Sequence, residues 1–367
     1  RLPRANMGGK RSAGSGGASS TGADSPAEGG SKDVQPNLTS ADYYFNSYAH
    51  FGIHEEMLKD EVRTRSYQTA IMQNGHLFKD KVVLDVGCGT GILCMFAAKA
   101  GARRVIGIEC SAIIDQAREI IATNGFADTI TLVQGKAEEV ELPEDVGGQV
   151  DIIVSEWMGY FLLYEGMLDT VIRARDRWLR PGGLVFPDKA SLYLCAIEDA
   201  DYRREKIDFW DNVYGFNMGA IKKMAMFEPL VDVVDPNQVC TSTCKILEMD
   251  IQTATLDDLV FQARYALTVN RPDFIHALVA YFDVTFSHCH KPVVLPTGPQ
   301  VISTHWKQTV FYLDDPLVAS FGEELSGAIA VRPNESNPRD LEIKLTVDFA
   351  GEKQPSEVHL EQEYRMR

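Results

Sequence analysis

The sequence predicts an α/β domain built on a parallel sheet, followed by an antiparallel β domain. Three observations carry this prediction. An apolar run opens into a glycine-rich turn at residues 81–98, strand and helix patterns alternate from there to about residue 187, and period-two patterning takes over beyond it. In Lys81-Val-Val-Leu-Asp-Val-Gly-Cys-Gly-Thr-Gly91, residues 82–84 read as a buried parallel strand. The glycines at 87, 89 and 91 let the backbone turn tightly into the helix that begins at Ile92. The cradle is nucleotide-sized, but no third glycine stands where the dinucleotide spacing G-x-G-x-x-G needs it.

The remaining elements follow in order. Strand Arg104–Glu109 ends in a carboxylate eighteen residues after Gly91, about where such folds hydrogen-bond a ribose diol. That acid alone does not separate a nicotinamide dinucleotide from other adenosine cofactors. A helix over 112–124 leads to strand Ile130–Gln134, after which Glu138 is placed to accept from an adenine amino group. The fourth strand, Val150 to Ser155, delivers Glu156-Trp-Met-Gly-Tyr-Phe-Leu-Leu-Tyr-Glu165 at its carboxyl end, where open α/β sheets bind ligands. A helix over about 166–179 is stopped by Pro181-Gly-Gly183, and strand Leu184–Phe186 reaches Pro187.

Upstream of the glycine strand, a charged amphipathic helix over Ile53–Arg63 carries His54, Asp60 and Arg63, and a second helix runs from Arg65 to Asn74. Tyr44, Tyr48 and Phe51 share one helical face, a stripe whose usual meaning is core packing. Downstream, 277–286 and 341–349 alternate with period two and predict an antiparallel, barrel-like domain. Residues 201–227 break that pattern with Tyr202, Phe209, Trp210, Tyr214 and Phe216 among charges, and read as a protruding helical arm.

Composition bounds the functional class. At 367 residues, 45% hydrophobic and 24% charged, the chain has room for two domains and a sizeable core. No apolar run reaches membrane-span length, and the start of the chain lacks a secretory apolar region. Seven scattered cysteines favour reduced thiols over a disulfide framework. Net charge is −16, and residues 33–367 are more acidic still. An acidic body argues against bulk nucleic-acid binding and favours cationic partners, although solubility alone also accounts for it. Residues 1–40, rich in Gly, Ser and Ala, have too little apolar surface to order themselves. Their Met7-Gly-Gly-Lys-Arg-Ser12 fits an N-myristoylation pattern only if translation starts at Met7.

Glu156 and Glu165 bracket an aromatic and apolar loop beside the cofactor cradle. Two carboxylates in a partly dry pocket repel unless a cation sits between them, and a guanidinium fork is the natural guest. A glycosidase-like acid pair is the formal alternative.

The Asp-x-Gly-x-Gly-x-Gly spacing at 85–91 resembles the first motif of S-adenosylmethionine-dependent methyltransferases. Ser155-Glu-Trp-Met-Gly-Tyr-Phe-Leu-Leu-Tyr-Glu165 resembles the double-glutamate loop of protein arginine methyltransferases. Tyr44-Phe45-x-x-Tyr48, Thr304-His305-Trp306 and the closing Tyr364-Arg-Met-Arg367 extend that resemblance over residues 41–367, closest to the type I enzymes. Cys88 stands where a serine or other small residue is common.

The resemblance implies a disordered tail over 1–40, lid helices and a Rossmann-like methyltransferase domain over 41–188, and a β-barrel substrate domain over 189–367. It makes 201–227 a dimerisation arm and Pro187 an interdomain cis-proline. S-adenosylmethionine would be held by Glu109 at the ribose, Glu138 at the adenine and Arg63 at the methionine carboxylate. Asp85, Gly87 and Gly89 would form the cofactor loop, Tyr44, Phe45 and Tyr48 its lid, and His54 and Ala137 further walls. Glu156, Glu165, His305 and Asp60 would be catalytic, and Met57, Met167, Tyr160 and Trp306 would line the substrate pocket, with no metal.

The implied chemistry is an in-line displacement in which a guanidinium nitrogen attacks the sulfonium methyl, giving asymmetric dimethylarginine. The released proton leaves through Glu165 or the His305–Asp60 pair. Implied partners are arginine-rich proteins, such as histone tails and Gly/Arg-rich RNA-binding proteins, and a second copy of the chain. Neither nucleic acid nor a membrane is expected as a direct partner, and nucleus and cytoplasm are the implied locations. A catalytically silent scaffold that binds arginine-rich proteins is the competing class, and intact Glu156, Glu165, Arg63 and His305 argue against it.

Overall fold

A computed structural model describes residues 50–367. The 1–40 segment with its Met7 motif, and the Tyr44, Phe45 and Tyr48 lid, lie outside the described residues. Five parallel strands form the first sheet, in the order β3-β2-β1-β4-β5. They are β1 (Val82–Val86), β2 (Arg104–Glu109), β3 (Ile130–Gln134), β4 (Val150–Val154) and β5 (Leu179–Phe186). Every residue of β1 and β4 is buried, which is why these runs are apolar without alternation. Leu84 pairs with Ile106 on one side and Ile153 on the other, which makes β1 the centre of the sheet. Strand order reverses there, so the carboxyl ends of β1 and β4 open a crevice between them. The glycine loop follows β1 and the double-glutamate loop follows β4, and both therefore reach the crevice.

Two elements differ from expectation. The charged helix breaks at Asp60 rather than after Arg63, giving α1 (Phe51–Lys59) and α2 (Glu61–Met72). Asp60 is extended there (φ −68°, ψ 94°), and its carboxylate accepts from the Arg63 N–H as the N-cap of α2. The helix after the double-glutamate loop spans Leu168–Trp178, and β5 starts immediately at Leu179, running through Pro181-Gly-Gly183 instead of beginning after it. The core-stripe reading also fails at Phe51, which is 67% exposed and stacks on His50.

Beyond the cis peptide at Phe186–Pro187 the chain is antiparallel. The barrel-like domain expected there is built from two antiparallel sheets, whose ladders do not join into one ring among the described residues. In chain order the strands are β6 (Lys189–Ile197), β7 (Leu230–Asp232), β8 (Cys244–Asp250), β9 (Phe261–Thr268), β10 (Asp273–Phe286), β11 (Val293–Pro296), β12 (Gln308–Ala319), β13 (Glu324–Pro333), β14 (Leu341–Phe349) and β15 (Val358–Met366). The larger sheet runs β7-β12-β10-β6-β8, with β11 paired to β10, and the smaller runs β15-β14-β13-β9. Strand β14, Leu341–Phe349, alternates buried and less buried residues, as its period-two sequence dictates. Residues 200–211 form a broken helix and Gly219–Phe227 a further one; Phe209, Tyr214, Phe216 and Met224 remain exposed there. Among the described residues, no helix is long and apolar enough to cross a membrane.

One apolar core runs from the parallel sheet into the antiparallel part. Phe186 meets Phe78 at 5.3 Å and Phe286 at 5.9 Å, and Phe286 meets the Tyr67 ring edge-on at 5.0 Å. Tyr67, fully buried on α2, donates its hydroxyl to the Ser155 carbonyl (2.9 Å) just before Glu156. Tyr67→Phe strands that carbonyl and should lower stability by about 1–2 kcal/mol, read as an earlier thermal unfolding transition.

Candidate active site

A cavity of about 500 Å³ occupies the crevice, walled by the glycine loop, the end of β2, α1, the double-glutamate loop and His305. Gly87 and Gly89 have φ of 74° and 51°. A Cβ on Gly87 would lie 2.6 Å from Met167 Cε, and one on Gly89 3.2 Å from the His54 ring, so only glycine leaves the cradle open at these angles. Glu109, at the end of β2, accepts from the backbone N–H groups of Gly89 (2.9 Å) and Ser111 (2.8 Å), one on each oxygen. Each oxygen keeps a second lone pair for a hydroxyl donor. Ala137 and Glu138 close the far end of the cavity, and the Glu138 carboxylate accepts from Thr170 (2.6 Å).

Asp85 is a correction to the expected cofactor contacts. It is wholly buried beneath the loop and off the cavity wall, where Cys94 donates its thiol to Oδ2 (3.1 Å) while Oδ1 has no partner. Burial, reinforced by the Glu109 charge, pushes its carboxyl up to about 7. Alternation along β1 sends its side chain inward, so it supports the loop from behind. Cys88 is buried with it. Although a bond with Cys94 acts to lower the Cys88 thiol, burial and the nearby carboxylates raise it overall, away from thiolate reactivity.

The double-glutamate loop closes on itself as a tight hairpin. Gly159 pairs with Leu162 and Tyr160 with Tyr164, and the chain adopts positive φ at Phe161 (51°), Leu162 (66°) and Glu165 (54°). Three left-handed non-glycine residues in one loop are costly, and burial and hydrogen bonding hold them in place. Phe161 and Leu162 are buried, with Phe161 edge-on to Phe311 at 5.6 Å. Ser155 donates to the Val86 carbonyl (2.7 Å), the Met167 N–H to Trp157 O (2.8 Å) and the Trp306 indole to Met158 O (3.0 Å). Trp306 is thus a buried brace of the loop at the cavity edge. The closed loop brings Glu156 and Glu165 to the same cavity.

Their environments differ. Glu156 Oε2 takes both Arg63 Nε (3.0 Å) and Nη2 (2.9 Å), and among the described residues Oε1 makes no hydrogen bond. Arg63 Nη1 is held by Met57 O (3.2 Å), and its Nη2 lies 3.9 Å from the Met57 sulfur. Among the described residues the Glu165 carboxylate makes no hydrogen bond, while its backbone N–H donates to Arg339 O (3.0 Å). Burial raises the Glu165 carboxyl; the Arg339 guanidinium opposes this and Asp340 adds to it. Tyr160, on the same wall, is raised by burial and by Glu56 and Glu165. His305 Nδ1 lies 2.8 Å from Asp60 Oδ2, which also accepts the His305 N–H (2.9 Å). Burial acts to raise Asp60, and the hydrogen bonds from His305 and Arg63 outweigh it and hold the carboxyl below its usual range.

Arg339 and the Arg63–Glu156 pairing escape sequence reasoning. The first sits in an Asn- and Asp-rich connection between strands, and the second joins residues 93 positions apart. Neither has a local signature.

A glycine cradle that ends in the Glu109 carboxylate, beside a wall that carries Glu156 and Glu165, suits an adenosine cofactor and a cationic target, and comparison with known proteins gives the class. Residues 83–183 match the family model "Methyltransferase domain", and residues 188–352 match "Arginine methyltransferase oligomerization subdomain". The chain is 58% identical over 333 residues to protein arginine N-methyltransferase 1 of Chlamydomonas reinhardtii, covering 91% of this chain and 95% of that one. It is 57% identical over 335 residues to protein arginine N-methyltransferase 1 of Oryza sativa subsp. indica, covering 91% and 85%. Among solved structures it superposes on the Trypanosoma brucei PRMT1 enzyme-prozyme heterotetrameric complex with AdoHcy (TM-score 0.85, 50% identity, 88% of this chain and 100% of that one). It also superposes on Arabidopsis thaliana protein arginine methyltransferase 10 (TM-score 0.80, 30% identity, 88% and 100%). The chain belongs to the S-adenosylmethionine-dependent protein arginine N-methyltransferases and, by sequence, to their type I group.

Gly159 gives a direct test of the loop. A Cβ there would lie 1.7 Å from Tyr164 O, so Gly159→Ala must open the hairpin. Methyl transfer should fall by about a hundredfold or more in a protein that still binds S-adenosylhomocysteine, checked by isothermal titration beside the activity assay.

Proposed function

We propose that this protein converts arginines in cationic, Gly/Arg-rich protein segments, histone tails and RNA-binding proteins among them, to monomethylarginine and then asymmetric dimethylarginine. The observation that carries this reading is the acceptor capacity that Glu156 Oε1 and the Glu165 carboxylate leave unfilled among the described residues, at the two ends of one closed loop beside the glycine cradle. A guanidinium's fork of donors matches that pair.

S-adenosylmethionine supplies the electrophilic methyl group. Glu109 would hold its ribose, Glu138 and Ala137 its adenine end, Arg63 its carboxylate, and Gly87, Gly89 and His54 would shape the cradle. Glu156 and Glu165 bind the target guanidinium, draw its positive charge away from one terminal nitrogen and aim that nitrogen's lone pair at the methyl. Arginine stays protonated at neutral pH, so orientation rather than prior deprotonation is the loop's task. The proton lost after transfer leaves toward Glu165 or the Asp60–His305 pair. Met57, by its contact with Arg63, and Met167, by its contact with the Gly87 side of the loop, support a pocket lined with pliant thioethers around the nitrogens. Such a lining re-admits a monomethylated arginine with its methylated nitrogen toward the donor. Exposed aromatics on 201–227 support assembly of two or more copies through that arm, and nucleus and cytoplasm are the proposed sites of action.

Incubation with labelled S-adenosylmethionine and a glycine-arginine-rich peptide, followed by acid hydrolysis and chromatography, tests the product. Asymmetric dimethylarginine should predominate, and a predominance of the symmetric isomer would reject the product assignment. Glu165→Gln should lower turnover by about ten- to a hundredfold, with cofactor affinity little changed. A near wild-type rate would reject the clamp.

A further inference from the structure

The connection between β13 (Glu324–Pro333) and β14 lies in the antiparallel part of the molecule, yet it reaches the active-site cavity through one residue, Arg339. The connection is caged by its own amides. Asn334 Oδ1 accepts from the N–H groups of Ser336 (2.9 Å) and Asn337 (3.1 Å), and Asn334 Nδ2 donates to Glu342 (2.8 Å). Asn337 Nδ2 donates to Asp340 Oδ1 (2.7 Å), and the Asn334 N–H to Asp340 O (2.9 Å). Such a loop holds Arg339 in a fixed place. Its carbonyl takes the N–H of Glu165, the residue whose left-handed φ of 54° needs an external restraint, and Arg339 and Glu165 line the same cavity, where the guanidinium charge acts to lower the Glu165 carboxyl.

We propose that Arg339 is a positioning residue for Glu165: its main chain fixes the glutamate's backbone, and its side chain keeps the carboxylate ready for the substrate guanidinium. The inference rests on the assignment of Glu165 to the guanidinium clamp. Other titratable groups that bear on Glu165 or its neighbours are Tyr160 and Tyr164 on the same loop, Asp340 beside Arg339, Glu56 of α1 through Tyr160, and Glu228 through Tyr164. Arg339 alone among them is cationic. Burial and Asp340 raise the Glu165 carboxyl and Arg339 lowers it, so loss of the guanidinium raises it further. Activity that needs the carboxylate is then lost at a higher pH as the solution is acidified.

The test is kcat/KM for an arginine peptide between about pH 6 and pH 9. Arg339→Met should lose at least about fivefold relative to wild type near pH 6 and less than about twofold near pH 9, with Arg339→Lys restoring most of the difference. Asp340→Asn, which keeps the oxygen that Asn337 uses, should move the other way and gain activity near pH 6 relative to pH 9. A loss in Arg339→Met that is equal at every pH would make the residue merely structural and overturn the proposal. Should Arg339→Met fail to fold, Asp340→Asn decides, and an unchanged pH profile there rejects it. Glu165→Gln in the same series separates the two readings. If that variant is active the clamp itself is misassigned, whereas an inactive Glu165→Gln beside a pH-independent Arg339→Met loss rejects Arg339 alone.

Discussion

Two carboxylates gathered in one partly dry cleft must each face a cation or lose their ionised form, and this constraint shapes the active site. Glu156 meets it with Arg63 from α2, through two bonds to a single oxygen. Glu165 lacks a direct ion pair among the described residues, and Arg339 of the antiparallel part, on the same cavity, acts to lower its carboxyl. The protein's own guanidinium groups thus act on both carboxylates from the cavity wall, and in the proposed function the acceptor positions left among the described residues take a third guanidinium. A strong internal ion pair to both carboxylates would have filled the site with the wrong arginine.

The same logic explains why the loop is so constrained. Charge repulsion between its ends favours an open loop, and a buried centre opposes opening. Phe161 and Leu162 anchor that centre in the core, Trp306 and Tyr67 hold its carbonyls, and Gly159 admits the close approach of Tyr164. Asp60 performs the matching task between α1 and α2. It caps α2 and, with its other oxygen, holds His305 across a sequence separation of 245 residues. Both sheets are therefore needed to build one cavity.

Much of this was legible in the sequence because the signals were local. Strands β1 and β4 are buried on both faces and read as continuous apolar runs, and the glycines of the cradle are required by backbone angles. The carboxyl-end rule then put Glu109, Glu156 and Glu165 beside the glycine loop. What the sequence hid depends on contacts between distant segments or on competition between neighbours. Asp60 looked like a helical residue until its capping role broke the helix. Asp85 belongs to a cofactor motif, yet strand alternation turns it inward. Period-two patterning identified β14, but it is blind to the connection before it, where Arg339 sits. The division of the barrel-like domain into two sheets depends on pairings that alternation does not specify.

The proposed clamp requires one guanidinium to be shared by the two ends of the double-glutamate loop. The most direct measurement is a crystal structure of the protein with S-adenosylhomocysteine and an arginine-containing peptide. The peptide guanidinium should lie within hydrogen-bond distance of both Glu156 Oε1 and the Glu165 carboxylate, with Arg63 still bonded to Glu156 Oε2. A guanidinium bound elsewhere in the cavity, or touching only one of the two glutamates, would contradict it.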